Sequence, residues 1–567
     1  MSRRVALLFI LFCNSAGAAS GIGARDYAVE LKAEVTASPP RIVLRWIPDP
    51  AAKSYEVSRK PPEGKTWSVL VNKAAGSEGS YADTNVVAGS VYEYRVLKNA
   101  VDTGKNAYTG FGFICAGINV PLVESRGNVV LVVDRTYSGD LAPQLARLEQ
   151  DLAGDGWVVL RHDVGRTDSV QDVKALITAD YKADPKNVKA LFLFGHVPVP
   201  YSGDYGPDGH KEHIGAWPAD AYYGDMDGKY TDTTVDDSAA KRPENRNVPG
   251  DGKFDQINIP FANGSTSVEL EVGRVDLADM PAFAPKTEKD LLGQYLEKDH
   301  NYRHKLLGIQ PVGLVADNFG AMHGEAFAAN GWRNFSVLVG PENVRAGTWA
   351  ELKPGSLWAF GAGAGSFTHA EGVASTKDYA ANDYGAVFTM LFGSWFGDWD
   401  NQDNFLRAPL ATSTYGLASA WVGRPCWYVH PMGLGETIGY CTRLTQNNVL
   451  TYPGNNGTNQ LHIALMGDPT LRLYPVAPPA GLAARVAGAG TDLEWKASPD
   501  AEGYNLYVAP SPGGPFIRLN RKLVRQTSLH VAQNLSGKSC MVRAVKLEST
   551  PEGTWYNQSQ GVFCGNF

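Results

Sequence analysis

Asn128-Val129-Val130-Leu131-Val132-Val133-Asp134 is an unbroken apolar run closed by a carboxylate, and Leu141, Leu145, Leu148 and Leu152 follow at helical spacing. A run that is apolar at every position suits a strand covered on both faces, as in a parallel sheet. The leucines after it mark one stripe of an amphipathic helix. Trp157-Val158-Val159-Leu160 reads as a second strand, 171–181 as a second helix, and Ala190-Leu191-Phe192-Leu193-Phe194 as a third strand. Strand–helix alternation of this kind predicts a parallel α/β sheet.

Downstream, after a long polar insertion, the alternation resumes. Val312–Ala316, Ser336–Val339, Ser356–Phe360, Ala386–Leu391 and Leu417–Trp421 read as strands. The region 125–305 is expected to form one α/β subdomain carrying the insertion, and 306–475 a second. Each contributes its own sheet to one composite domain. Ligand sites of open parallel sheets lie beyond the carboxyl ends of the strands. The loops starting at Gly361, Gly393 and Trp421 all begin at such ends and are expected to converge.

Outward on either side the period changes to two. Ile42-Val43-Leu44-Arg45-Trp46, Ser54–Arg59, Trp67–Leu70, Tyr81–Thr84 and Tyr92–Val96 alternate apolar and polar residues between turns, predicting a β-sandwich over 25–120. Leu493-Glu494-Trp495, Tyr504–Val508, Phe516–Leu519 and Cys540–Val545 repeat the pattern over 476–567, after a linker marked by Pro475, Pro478 and Pro479. Both copies resemble fibronectin type III domains, with a core tryptophan on an early strand. They are expected to serve as spacers or adhesion modules.

The first 19 residues read as a signal peptide. Arg3 and Arg4 precede the short apolar core Val5–Phe12, and Ser15–Ala19 supplies small residues for cleavage. The expected location is secreted or periplasmic. No other stretch is long and apolar enough to predict a membrane span. The formal charge is −7 with no dense Lys/Arg run, which excludes an electrostatic case for nucleic acid. Five cysteines remain beyond the leader, too few and too odd for a disulfide framework. Cys540 with Cys564, and Cys426 with Cys441, either pair or stay as buried thiols.

Ser356–Phe360 leads to Gly363-Ala364-Gly365-Ser366, the next strand to Ser394-Trp395-Phe396-Gly397-Asp398, and Gly467-Asp468-Pro469-Thr470-Leu471 closes the region. These loops resemble those of gingipain-type, caspase-like cysteine peptidases. In that family one strand leads into a Gly-His-Gly-Ser loop, the next into a Cys-x-x-Gly-Asp loop, and a Gly-Asp-Pro-Ser/Thr-Leu strand closes the domain. Pro218–Tyr223 and Gly273-Arg274-Val275 resemble the segments that join the family's two subdomains. The resemblance implies a caspase-like α/β domain of two mainly parallel sheets with flanking helices. The sandwiches make the whole a multidomain chain with two all-β, immunoglobulin-like flanks.

Ala364 and Ser394 stand where the resemblance places the catalytic histidine and cysteine. Alanine cannot accept a proton, and a cysteine-type peptidase needs a thiolate beside an imidazole. The expected function is therefore that of a secreted peptidase homologue that binds without cutting. A protein, peptide or glycan is the expected ligand, and no cofactor other than calcium. The competing expectation is a hydrolase with Ser394 as nucleophile, His369 as base and Asp398 orienting it.

Asp225, Asp227 and Asp232, with Asp251 and Asp255 nearby, place several oxygens in acidic turns, as calcium prefers. The resemblance also implies structural calcium; solvated turns are the competing account. His196, His210 and His213 offer a weaker zinc set without a fourth ligand. Trp395, Phe396 and Trp399 beside Asp398, Asp400 and Asp403 suggest a peptide- or sugar-binding surface, or else core packing.

Overall fold

The computed structural model describes residues 22–74, 79–453 and 456–564. The expected signal peptide lies outside them. Seven strands form the first sandwich: β1 (Lys32–Ala37), β2 (Pro40–Arg45), β3 (Ala52–Lys60), β4 (Ser68–Ala74), β5 (Ser80–Asp83), β6 (Val91–Val101) and β7 (Ala107–Val120). Strands β1, β2 and β5 make one sheet. Its inward residues Ile42 and Leu44 share a core with Tyr55, Val57, Tyr94, Val96 and Ile114 from β3, β6 and β7.

The central domain opens with β8 (Gly127–Asp134), α1 (Ala142–Asp155), β9 (Trp157–Val164), α2 (Val170–Ala183) and β10 (Val188–Phe194). It continues through β11 (Glu271–Val275), α3 (Glu288–Arg303), β12 (Gln310–Asp317), α4 (Ala329–Val339) and β13 (Val344–Ala346). Then come β14 (Ser356–Ala362), β15 (Ala386–Phe392), β16 (Ala418–Trp421), α5 (Ile438–Gln446) and β17 (Leu465–Gly467).

The two expected sheets are one. A 10-stranded sheet runs β13-β12-β14-β15-β16-β17-β11-β10-β8-β9. The join is β17, which lies antiparallel to β16 and parallel to β11. Two parallel halves of opposite direction thus share the short strand just before Asp468-Pro469. Arg303 holds Asp468 at 2.5 Å and Thr470 at 2.7 Å, which fixes the chain as it leaves that strand.

Ser336–Val339, expected as a strand, is the last turn of α4. Every residue of that helix is buried. Its polar side chains Asn330, Arg333 and Asn334 lie upstream, and the apolar Val337-Leu338-Val339 turn taken alone reads like a short buried strand. What covers α4 is the first sandwich. Arg333 lies 3.9 Å over the Phe111 ring, Arg25 lies 4.2 Å over Trp332, and Ser336 donates to Glu30 at 3.1 Å.

The second sandwich contains β18 (Ala480–Ala487), β19 (Gly490–Lys496), β20 (Gly503–Ala509), β21 (Ser528–Val531), β22 (Ser539–Thr550), β23 (Gly553–Gln558) and β24 (Val562–Cys564). Its internal likeness to the first holds at the core. Trp46 packs on Tyr55 with centroids 5.4 Å apart, and Trp495 on Tyr504 at 5.3 Å. Each tyrosine hydroxyl accepts a backbone N–H from the loop before it, Asp49 and Ser498 respectively. Such aromatic pairs add about 0.5–1.5 kcal/mol beyond burial.

The sandwiches are not loose spacers. Strand β23 pairs in parallel with β7, so strands from both ends of the chain form one nine-stranded sheet. Gly553 makes the approach possible. It sits at φ +114, and a Cβ there would lie 2.1 Å from the Gly117 oxygen. Arg543 of β22 donates to the Glu124 and Ala153 carbonyls, fastening the second sandwich to the central domain.

Cys540 and Cys564 face each other across β22 and β24. Cys441 lies in the main core and Cys426 in a separate aromatic cluster, so those two do not bridge. Among the described residues no helix is long and apolar enough to cross a membrane.

Candidate functional site

The loops after β14 and β15 meet as expected. Gly363 donates its N–H to the Phe392 carbonyl, and Gly365 crosses directly over Ser394. A Cβ at Gly365 would stand 2.3 Å from the Ser394 oxygen and 2.7 Å from its nitrogen, so only glycine fits there. Ala364 is exposed on this loop and offers no acid–base group.

The predicted Ser394–His369–Asp398 arrangement is not formed. His369 is exposed on a small hairpin and its Nδ1 bonds Ser366 Oγ at 2.6 Å. Asp398 is fully buried and accepts from Arg242 at 2.5 Å, Asn245 at 3.0 Å and His213 at 3.2 Å through one oxygen. The imidazole that does reach Ser394 is that of His210, with Nε2 2.7 Å from Oγ.

His210 arrives from the polar insertion between β10 and β11. It caps a short 3-10 turn, Lys211–His213, in which positions three apart lie over one another. His210 and His213 therefore present their rings to the same neighbour, Trp395. The ring centroids lie 5.5 Å and 4.3 Å from that indole, with interplanar angles of 27° and 25°. Asp208 ties the turn together: one oxygen accepts the His210 N–H, and the other accepts from His213 Nδ1 at 2.7 Å and the Trp395 N–H at 3.0 Å.

Trp395 pays for this fit with a left-handed backbone, φ +76, a conformation that costs a bulky residue on the order of 1–3 kcal/mol. Arg242 and Tyr201, bonded to Asp398 and Asp400, pin the rest of the insertion to the same loop. Burial opposes charge on His213, but its bonds to Asp208 and Asp398 outweigh burial and raise its pKa. Asp208 is correspondingly held low, the His213 hydrogen bond overcoming the desolvation that would raise it.

The pair itself is open. The His210 side chain is 41% exposed, and Glu212 stands 3.6 Å from its Nδ1. A hydroxyl, an imidazole on one side of it and a carboxylate on the other side of the ring are the parts needed to activate a serine. Phe396 and Trp399 are buried, so the expected aromatic surface reduces to Trp395 with Lys241 5.4 Å above it.

The zinc set does not assemble. His196 bonds Asp276 at 2.8 Å, while His210 and His213 serve Ser394 and the Asp208–Asp398 bridge. Nor do the five calcium candidates converge. Asp232 accepts the Gly250 and Gly252 N–H groups, Asp251 those of Val248 and Lys253, and Asp255 those of Thr233, Thr234 and Val235. Asp225 and Asp227 come together with Glu269. The adjoining carbonyls of Tyr222, Tyr223 and Asp225 are taken by the Lys174 ammonium. Burial pushes that lysine's pKa down to about 7 while the three carboxylates pull it up. The lysine takes backbone carbonyls, while the Asp225, Asp227 and Glu269 carboxylates form a close group of their own.

A cleft of about 600 Å³ opens elsewhere, lined by Glu63, Lys65, Phe261, Tyr440, Arg443 and Leu450. It contains no nucleophile–base pair.

No family model matches the sequence, and no curated protein matches it. Solved structures similar to the chain include the Arg-specific cysteine proteinase gingipain R, at 13% identity and a TM-score of 0.45, covering 78% of this chain and 99% of that one. An Fn3-like protein from Clostridium thermocellum is 22% identical with a TM-score of 0.14, covering 17% of this chain and 96% of its own. Pectate lyase PelI from Erwinia chrysanthemi is 12% identical with a TM-score of 0.13, covering 19% of this chain and 34% of its own.

Proposed function

We propose that the chain is an exported hydrolase of the acyl-transfer type, built on a gingipain-type scaffold, with Ser394 as nucleophile and His210 as general base. The carrying observation is the 2.7 Å contact between Ser394 Oγ and His210 Nε2. As Oγ attacks a carbonyl carbon, Nε2 takes its proton; the imidazolium then returns that proton to the leaving group. Water, activated by the same ring, releases the acyl group. Glu212 faces Nδ1 and complements the imidazolium charge. The partly buried Trp395 ring and the Lys241 ammonium form the wall beside the nucleophile and favour a peptide or another polar acyl substrate.

One observation favours the non-catalytic reading. The backbone N–H after a nucleophile commonly stabilises the oxyanion, and here the Trp395 N–H is spent on Asp208. On that reading the same surface binds a peptide or glycan without turnover.

A fluorophosphonate probe on the full-length protein separates the two. The hydrolase reading expects covalent label on wild type and none on Ser394→Ala. Wild-type protein that stays unlabelled overturns it in favour of binding.

A further inference from the structure

Three groups of side chains among the described residues have metal-ligand spacing: Glu93–Cys115–His430, Asp225–Asp227–Glu269 and Asp151–His300–His304. The first already holds a cation: Lys60 pairs with Glu93 in a fully buried salt bridge, which a second positive charge would have to displace. In the second the carboxylates already accept from the Met226 and Gly228 N–H groups, the Tyr230 hydroxyl and the Asn263 amide. The third group has no resident ammonium or guanidinium. Its nearest arginine in sequence, Arg303, is committed to Asp155, Asp299 and Asp468.

We propose that Asp151, His300 and His304 form a divalent transition-metal site of the zinc class that clamps α1 to α3. His300 and His304 are four residues apart at the end of α3, so both rings lie on one face of the helix. Their centroids are 4.1 Å apart. Asp151 comes from the facing turn of α1, with one oxygen 2.7 Å from His300 Nδ1 and the other 2.8 Å from His304 Nε2.

Two imidazoles and a carboxylate are a common protein ligand set for zinc, bound at about 2.0–2.2 Å. Two ligand atoms on one such ion lie no more than about 4.4 Å apart. All three ligand atoms here already fall within 4.8 Å of one another. Small ring rotations are enough to admit the ion. Each imidazole binds neutral, its proton carried on the other ring nitrogen.

Exposure supports a site that can be filled from solution. The Asp151 side chain is 6% exposed, whereas His300 and His304 are 21% and 19% exposed. The carboxylate forms a dry floor and the rings an open mouth, leaving the fourth position to water or an added ligand.

The test uses the full chain, stripped with a chelator and titrated separately with zinc and cobalt(II) ions. The expected result is one equivalent bound, a rise in Tm with zinc, and a cobalt spectrum without a thiolate charge-transfer band. His300→Gln and His304→Gln should each weaken binding by at least about tenfold, and Asp151→Asn should do likewise. The metal-free variants should melt close to metal-free wild type, which shows that they fold. Undiminished binding in the histidine variants, a thiolate band that places the ion at Cys115, or no binding by wild type each overturns the proposal.

Discussion

At the scale of single residues, the proposed hydrolysis rests on Ser394 and His210. His210→Gln is expected to slow fluorophosphonate labelling by about 10²–10⁴-fold, the usual worth of a general base. His369→Ala should leave labelling unchanged, because His369 bonds only its own hairpin. Rates from a time course of labelled protein check both. His213 yields a stability prediction with a definite sign. Its folded pKa is raised above the ordinary 6.5, so its contribution is complete below that pH and fades as pH climbs through the folded value. The Tm gap between wild type and His213→Gln should therefore be widest below pH 6.5 and narrow above it. Asp208, held below its ordinary 3.8, adds stability that is lost only as pH falls beneath that range. Sequence pointed to Ser394 and to the absence of a histidine at Ala364. It did not pair Ser394 with His210, which stands 184 residues away on an aperiodic loop. The visible signal is Asp208-Gly209-His210-Lys211-Glu212-His213, a stretch dense in acid–base groups whose two histidines suggest metal ligands as readily as a base.

Among the elements, the insertion between β10 and β11 is an arm that brings His210 to Ser394. Its anchor is Arg242 on Asp398, a largely buried pair in which the carboxylate is inaccessible to water. Removing one partner of such a pair costs about 3–5 kcal/mol. Arg242→Met is thus expected to lower stability by that order in chemical denaturation and to reduce labelling of Ser394 as well. Gly365→Val strikes the same contact from the other loop: the added carbons collide with the Ser394 backbone, so stability and labelling should both fall. Most strands of the central sheet were legible as apolar runs. The union of its halves was not, because β17 spans only Leu465–Gly467 and a strand that short has no period. The last turn of α4 resembles a strand for a related reason: Val337-Leu338-Val339 is too short to show the period of the helix it ends.

The whole molecule behaves as one body rather than three beads. The first sandwich covers α4, the second grips Glu124 and Ala153, and β7 and β23 join the two. Thermal unfolding of the full chain is expected as one cooperative transition. Deleting 476–567 should lower the Tm of what remains, because β7 loses its neighbour β23 and the Glu124 and Ala153 carbonyls lose Arg543. Independent transitions in calorimetry, or an unchanged Tm after deletion, would contradict this. Fibronectin-like patterning was readable from alternating residues and repeated tryptophans, but docking was not, since the contacts that make it join positions hundreds of residues apart.

That last junction imposes an order of events on biosynthesis. Gly117 leaves the ribosome early, and the strand edge it belongs to has no partner until Gly553 follows. Through the interval the nascent chain carries an unprotected edge at Gly117–Val120, the kind of surface on which neighbouring chains pair. Holding it apart falls to whatever escorts the growing polypeptide, and the molecule closes like a clasp only when its final strands are released.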